Sequence, residues 1–210
     1  MSSHHNRFRP AAVARRRAPA LLATAALVAA AACGGRDPFA PTASATTVGP
    51  VSFVLYPLSR ARAPFYSALS LQFAEPIQPA VLATSSGLLP NFDVVFDVDS
   101  AGQLVLRPAK QLVSTSIVPR TGFQTSSTKF DSLGAAPGGT YQSDSAQRVA
   151  VGQTVVVQAQ GYLGCLTSGT FFYAKIVVDS VYTGTGALAV RVVSDPNCGF
   201  KSFASGIPTS

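Results

Sequence analysis

Two long apolar segments separated by a glycine-containing turn constrain the fold of this chain most strongly. Phe171–Tyr182 and Ala187–Ser194 are rich in valine, and the sequence Thr-Gly-Thr-Gly at 183–186 joins them. β-Branched and aromatic residues favour strands, and a short connection containing glycine favours an antiparallel hairpin. The sequence therefore predicts a hairpin against which the rest of the domain packs.

Alternation of apolar and polar residues recurs along the chain and predicts further strands. The segments are Val51–Tyr56, Ala68–Phe73, Phe92–Val98, Gln103–Arg107 and Thr154–Gln160. Short strands separated by turn residues every 8–12 positions or so are typical of sandwiches and barrels. We expect an all-β fold, a single antiparallel β-sandwich or barrel-like domain behind a flexible N-terminal tether.

Two stretches without strand patterning are expected to be long loops. They are Pro76–Asn91, with a short helical turn at Pro79–Ala83, and the polar stretch Thr121–Gln147. Connections of this length are commonly functional or mobile.

The first 33 residues have the pattern of an export signal. Arg15–Arg17 precede an apolar run that ends in Ala30–Ala32 and Cys33. A basic start, a short apolar run and small residues at its end are typical of a secretory signal. The run resembles the signal of bacterial lipoproteins, which implies cleavage before Cys33 and lipidation of that cysteine. Plain secretion, with cleavage after the same alanines, is the alternative.

This interpretation divides the chain into a signal peptide at 1–32, a lipidated cysteine and flexible tether at 33–50, and a β-rich domain at 51–210. Residues 34–50 are rich in glycine, proline, alanine and threonine, as flexible linkers are. Gly34 follows the cysteine where an aspartate would signal inner-membrane retention, so an outer membrane is favoured if the cell has one.

Removal of the signal also removes most of the positive charge. The whole chain has 16 basic and nine acidic residues, and five of the arginines lie before residue 32, so the mature chain has a net charge of +2. So small a charge excludes a strongly basic nucleic-acid-binding surface. The expected partners are the membrane, through the lipid on Cys33, and an envelope protein or glycan.

The two remaining cysteines predict a disulfide. Cys165 precedes the predicted hairpin and Cys198 follows it, so both lie at its open end. Exported domains fold in an oxidising compartment, where such a pair forms a bridge. We expect Phe200 and Phe203 to cover this open end.

The mature chain lacks the side chains that most catalytic and metal sites use. Both histidines lie in the signal, Glu75 is the single glutamate, and there is no tryptophan. The absence of histidine excludes Ser-His-Asp catalysis and histidine metal sites. We expect a non-enzymatic protein without a cofactor. A hydrolase that uses Glu75 with Asp93 or Asp97, or Ser126 with Lys129, remains an alternative.

Asp97 and Asp99 are the candidate metal ligands. With Gly102 they match positions one, three and six of a calcium loop, but Ala101 and Pro108 stand where positions five and twelve need oxygen ligands. A hairpin turn explains the same residues without calcium.

The segment Ala150–Val157 (AVGQTVVV) resembles the opening of bacterial immunoglobulin-like domains. The resemblance covers about eight residues and implies a sandwich.

Three functions remain open at this point. We favour a tethered binding or scaffold module of the cell envelope, whose ligand the sequence does not identify. The alternatives are a β-barrel carrier of a small apolar ligand and the hydrolase described above.

Overall fold

The computed structural model describes residues 42–43, 45–61, 64–78, 90–113, 119–161 and 165–208. These residues belong to one compact unit, Pro41–Ser210. Cys33 and the segment Pro79–Ala83 lie outside them. Within the described ranges, no helix is long and apolar enough to cross a bilayer.

The described residues form eleven strands and three short helices. The strands are β1 (Val48–Leu55), β2 (Ala68–Ser70), β3 (Glu75–Ile77), β4 (Val94–Val98), β5 (Leu104–Pro108), β6 (Thr121–Ser126), β7 (Gln142–Ser143), β8 (Gln147–Arg148), β9 (Thr154–Ala159), β10 (Phe172–Val181) and β11 (Leu188–Asp195). The helices are two 3₁₀ turns, Ala109–Gln111 and Phe130–Ser132, and a single α-helical turn, α1 (Cys165–Ser168).

Two antiparallel sheets pack face to face. In the described part of the chain, the larger sheet has the order β1-β11-β10-β9-β6-β7 and the smaller sheet has the order β3-β2-β4-β5-β8. The protein is therefore an all-β sandwich. β1 and β3 lie at one end of their respective sheets, so each has a described neighbouring strand on one side only.

Side chains of both sheets fill the space between them. Phe123, Phe172 and Ile176 of the larger sheet and Leu69 and Phe96 of the smaller sheet are at most 1% exposed. Burial of apolar side chains of this size stabilises the fold by about 1.5–3 kcal/mol each. The sandwich therefore has a packed interior.

The predicted hairpin is confirmed and forms the centre of the larger sheet. β10 and β11 pair from Tyr173 opposite Asp195 to Val181 opposite Leu188. The hairpin of β4 and β5 is confirmed as well. Its turn closes where the Asp99 N–H donates to the Gln103 carbonyl over 2.9 Å.

The segment expected to be a loop at 121–147 is instead largely built into the fold. It opens with β6, which pairs with β9 from Thr121 to Ser126, and it continues into β7. β6 contains one large apolar residue, Phe123, whose side chain is fully buried. Gly122 lets another part of the segment lie close to the sheet, because a Cβ there would be 3.0 Å from the Tyr141 Cβ. The sequence did not predict this strand because its residues are mostly polar and show almost no apolar alternation.

The rest of that segment covers the outer face of the larger sheet. Phe130, Ala136 and Tyr141 pack with Phe203 against the apolar residues that β9–β11 direct outwards. The Ala136 N–H donates to the Lys201 carbonyl over 2.7 Å, which joins the segment to the chain after β11. Phe203 thus covers a sheet face, and Phe200 is also buried.

The predicted strand Ala68–Phe73 was too long. The chain leaves β2 after Ser70, turns at 71–74 and returns as β3. Ala74 has a φ of +49°, which costs an alanine about 1–2 kcal/mol. The turn also breaks the expected alternation, because all residues from Ala68 to Leu71 are buried.

β1 begins at Val48, before the predicted end of the tether. The Ala45 N–H donates to the Asn197 side chain over 2.9 Å, and the Thr47 N–H donates to the Gly206 carbonyl over 3.0 Å. The last residues assigned to the tether are therefore held by the domain.

Candidate functional site

An apolar groove lies at the side of the sandwich where β1 and β3 end the two sheets. It is lined by Ser52, Phe53, Val54, Tyr56, Pro64, Phe65, Tyr66 and Pro76 and has a volume of about 380 Å³. Four of these side chains are aromatic, two are prolines and none is charged. Such a surface suits an uncharged ligand group, because an unpaired charge loses its hydration on entering it.

Backbone and ring contacts hold the aromatic wall in place. The Tyr56 N–H donates to the Tyr66 carbonyl over 2.8 Å, so residues 64–66 lie beside the end of β1. The rings of Tyr56 and Phe65 have centroids 4.3 Å apart at an angle of 36°. Phe53 packs against the core, whereas Val54, Phe65 and Tyr66 remain between 38% and 49% exposed. An exposed cluster of this kind is typical of an interaction site.

The edge of β1 beside the groove has backbone groups with which none of the described residues pairs. Phe53 and Leu55 face Val190 and Leu188 of β11, and the Tyr56 N–H points away from β11 to Tyr66. Backbone groups of successive residues in an antiparallel strand point to opposite sides. The N–H and C=O groups of Ser52 and Val54 therefore point away from β11, and no described residue bonds to them.

The predicted disulfide is confirmed. Cys165 and Cys198 are bonded, with 5.4 Å between their Cα atoms. The bridge joins α1 to the chain that follows β11, and Cys165 is 2% exposed within the core. Its surroundings identify it as a structural bridge.

The calcium candidates bind protein donors. Asp99 Oδ1 accepts the N–H groups of Ala101 and Gln103, each over 2.9 Å, and Asp99 Oδ2 lies 2.8 Å from Arg148. The hydrogen bond from Gln103, aided by Arg148, lowers the pKa of the Asp99 carboxyl. These contacts explain Asp99 as a turn residue.

Asp97 binds donors on both sides of its strand. Its Oδ1 accepts the Ser59 N–H over 3.1 Å, and its Oδ2 lies 3.4 Å from Arg107. No group of three or more metal-binding side chains occurs among the described residues.

Asp93 is a buried carboxylate that positions a turn. Its Oδ2 accepts the Leu71 N–H over 2.7 Å, and the Gln72 N–H also bonds to it, so it holds the strained turn between β2 and β3. Burial raises the pKa of the Asp93 carboxyl to about 6, against these hydrogen bonds, which lower it. Asp93 is 5% exposed, whereas Glu75 is exposed on β3.

Ser126 is the last residue of β6, and Lys129 follows three residues later. The Ser126 hydroxyl accepts the Thr128 N–H over 3.1 Å, and Lys129 is exposed. In the described structure no hydrogen bond joins the two side chains. The hydroxyl stabilises the end of β6.

Lys175 is a buried cation that the sequence did not reveal. Its ammonium donates to the carbonyls of Phe130 and Leu133 over 2.7 and 2.8 Å and lies 4.7 Å from the centre of the Phe130 ring. Burial lowers the pKa of Lys175. The alternation in β10 predicts this position on the outer face, but it gives no sign that Phe130 and Leu133 cover that face. Lys175 fastens the covering segment to the sheet.

Comparisons with protein-family models, curated proteins and solved structures find no match to this chain.

Proposed function

We propose that this protein is a non-enzymatic lipoprotein of the bacterial cell envelope that binds another envelope component in the groove beside β1. Its anchor is a lipid on Cys33. The observation that carries the proposal is the exposed groove, in which four aromatic side chains and two prolines meet and which no charged side chain among the described residues lines. The partner contributes an uncharged, apolar group.

The interior of the sandwich supports binding at the surface over transport inside a barrel. The two sheets lie face to face, and large side chains such as Phe96, Phe123 and Phe172 fill the space between them. A carrier of the barrel type needs an interior cavity for its ligand. The groove lies outside this core, at the edges of the sheets.

The polar side chains support binding over hydrolysis. A general base has to reach the proton that it removes, and a nucleophile needs an adjacent base. Asp93 is enclosed by a turn, and the Ser126 hydroxyl is bonded to the backbone. Neither residue lines the groove.

Photo-crosslinking in bacteria that express the full chain tests this function. A photoreactive benzoylphenylalanine replaces Phe65 in the groove or, as the control, Tyr182, which lies in the turn after β10. The two sites are matched, because Phe65 is 43% exposed and Tyr182 is 50% exposed. We expect an adduct from position 65 and none from position 182. Equal labelling, or no adduct from position 65, refutes the proposal.

A further inference from the structure

The outer edge of β1, which no described strand pairs with, and the groove beside it form one surface that offers both backbone hydrogen-bonding groups and apolar side chains. Ser52 and Val54 direct backbone donors and acceptors away from β11, and the same two residues line the groove. Their side chains are exposed as well. A ligand in the groove therefore meets a row of hydrogen-bonding groups spaced two residues apart.

We propose that the occupant is an extended segment of a partner protein, which adds to the larger sheet as a strand beside β1. This inference rests on the proposed function and names the class of its ligand. A peptide in β-conformation directs alternate N–H and C=O groups to one side, at the spacing that Ser52 and Val54 present. A lipid chain has no such groups, and a glycan does not repeat its hydroxyls at the strand spacing.

The groove then selects among side chains of the added strand. Every second side chain of a strand points to the same face, so one side chain reaches Phe65 and Tyr66 while its neighbours point away. An aliphatic or aromatic side chain gains contact with these rings, whereas a charged one loses hydration without a partner. The segment is therefore uncharged at the position that enters the groove.

A proline substitution separates backbone recognition from side-chain recognition. Val54→Pro removes the outward N–H and leaves the bonds between β1 and β11, because the Val54 N–H is not part of that ladder. Val54→Thr keeps the N–H and changes the side chain, so it is the matched control. Ser52→Pro repeats the test at the other outward residue. Thermal unfolding of each variant shows which of them retain the fold.

The readout is the adduct formed by the photoreactive residue at position 65 in the full chain, identified by mass spectrometry after protease digestion. We expect a peptide adduct that falls by about tenfold or more in the folded proline variants and persists in Val54→Thr. The loss of one hydrogen bond, together with displacement of the partner strand by the proline ring, weakens binding by a factor of this size.

The other outcomes overturn the inference. A peptide adduct that persists in the folded proline variants means that the protein recognises the partner through side chains alone. A lipid or glycan adduct agrees with the proposed function and refutes the addition of a partner strand. An adduct to a second copy, or within one chain, means that a segment of this protein and not of a partner protein occupies the edge of β1. No adduct at position 65 in the unsubstituted background refutes the proposed function, and the inference with it.

Discussion

The buried carboxyl of Asp93 should make the domain less stable as the pH rises through 6. Burial raises its pKa from 3.8 to about 6, so between these values the folded protein holds a proton that the unfolded chain has lost. Stability then decreases with increasing pH. A rise of this size corresponds to about 3 kcal/mol at 1.36 kcal/mol for each pKa unit, present in full below pH 3.8 and lost above pH 6.

Asp93→Asn tests this magnitude, because it keeps the size of the side chain and removes its titration. The assay is urea unfolding of the mature domain with its disulfide intact, at several values between pH 4 and pH 7.5. The variant carries a constant offset from altered hydrogen bonds, so the quantity compared is the change with pH. We expect the wild-type protein to lose about 2–3 kcal/mol more than the variant over this range.

Asp99→Asn is the control, since it should change the pH dependence in the opposite direction. The Asp99 carboxyl has a lowered pKa, so its contribution is present at neutral pH and is lost on acidification. Parallel pH profiles for wild-type protein and Asp93→Asn refute the reasoning, because they mean that Asp93 titrates alike in both states.

Three further predictions concern the bridge, the buried lysine and the anchor. Replacing Cys165 and Cys198 by alanine should lower the free energy of unfolding by about 3–4 kcal/mol, since the bridge closes a loop of 33 residues; an unchanged urea midpoint contradicts this. Lys175→Met should cost about 1–3 kcal/mol and speed proteolytic cleavage within 127–141, because two buried carbonyls lose their donor; equal cleavage rates contradict it. The intact mass of the full chain made in a bacterium should lack residues 1–32 and include acyl chains that Cys33→Ser removes, and an unacylated wild-type product contradicts the anchor.

The sequence predicted the parts of the fold that local alternation specifies. β10 and β11 have long valine-rich stretches around a glycine turn, and the bridge follows from the placement of Cys165 and Cys198 on either side of them. In these places the residues that decide the structure are neighbours in the chain or flank one hairpin.

Prediction from the sequence failed where contacts with residues distant in the chain decide the structure. β6 has the composition of a loop. It forms a strand because tertiary contacts, including Tyr141 against Gly122, stabilise it. The outward position of Lys175 was predictable from alternation, and its burial was not, because the chain that covers it lies more than 40 residues away.

The groove could not be found from the sequence for a similar reason. Its lining comes from β1, from residues 64–66 and from Pro76 of β3, which meet only when two different sheets end side by side. No local pattern encodes the meeting of two sheet edges.

The hydrogen bonds that fasten residue 45 to Asn197 have a mechanical consequence. A pulling force on the N-terminal side of the chain enters the sandwich at Ala45, beside the cysteine that bonds to Cys165. It passes next into β1, the strand that also lines the groove. A ligand held there and a pull on the N-terminal side of the chain would therefore load the same strand, and through its pairing with β11 the load would reach the central hairpin.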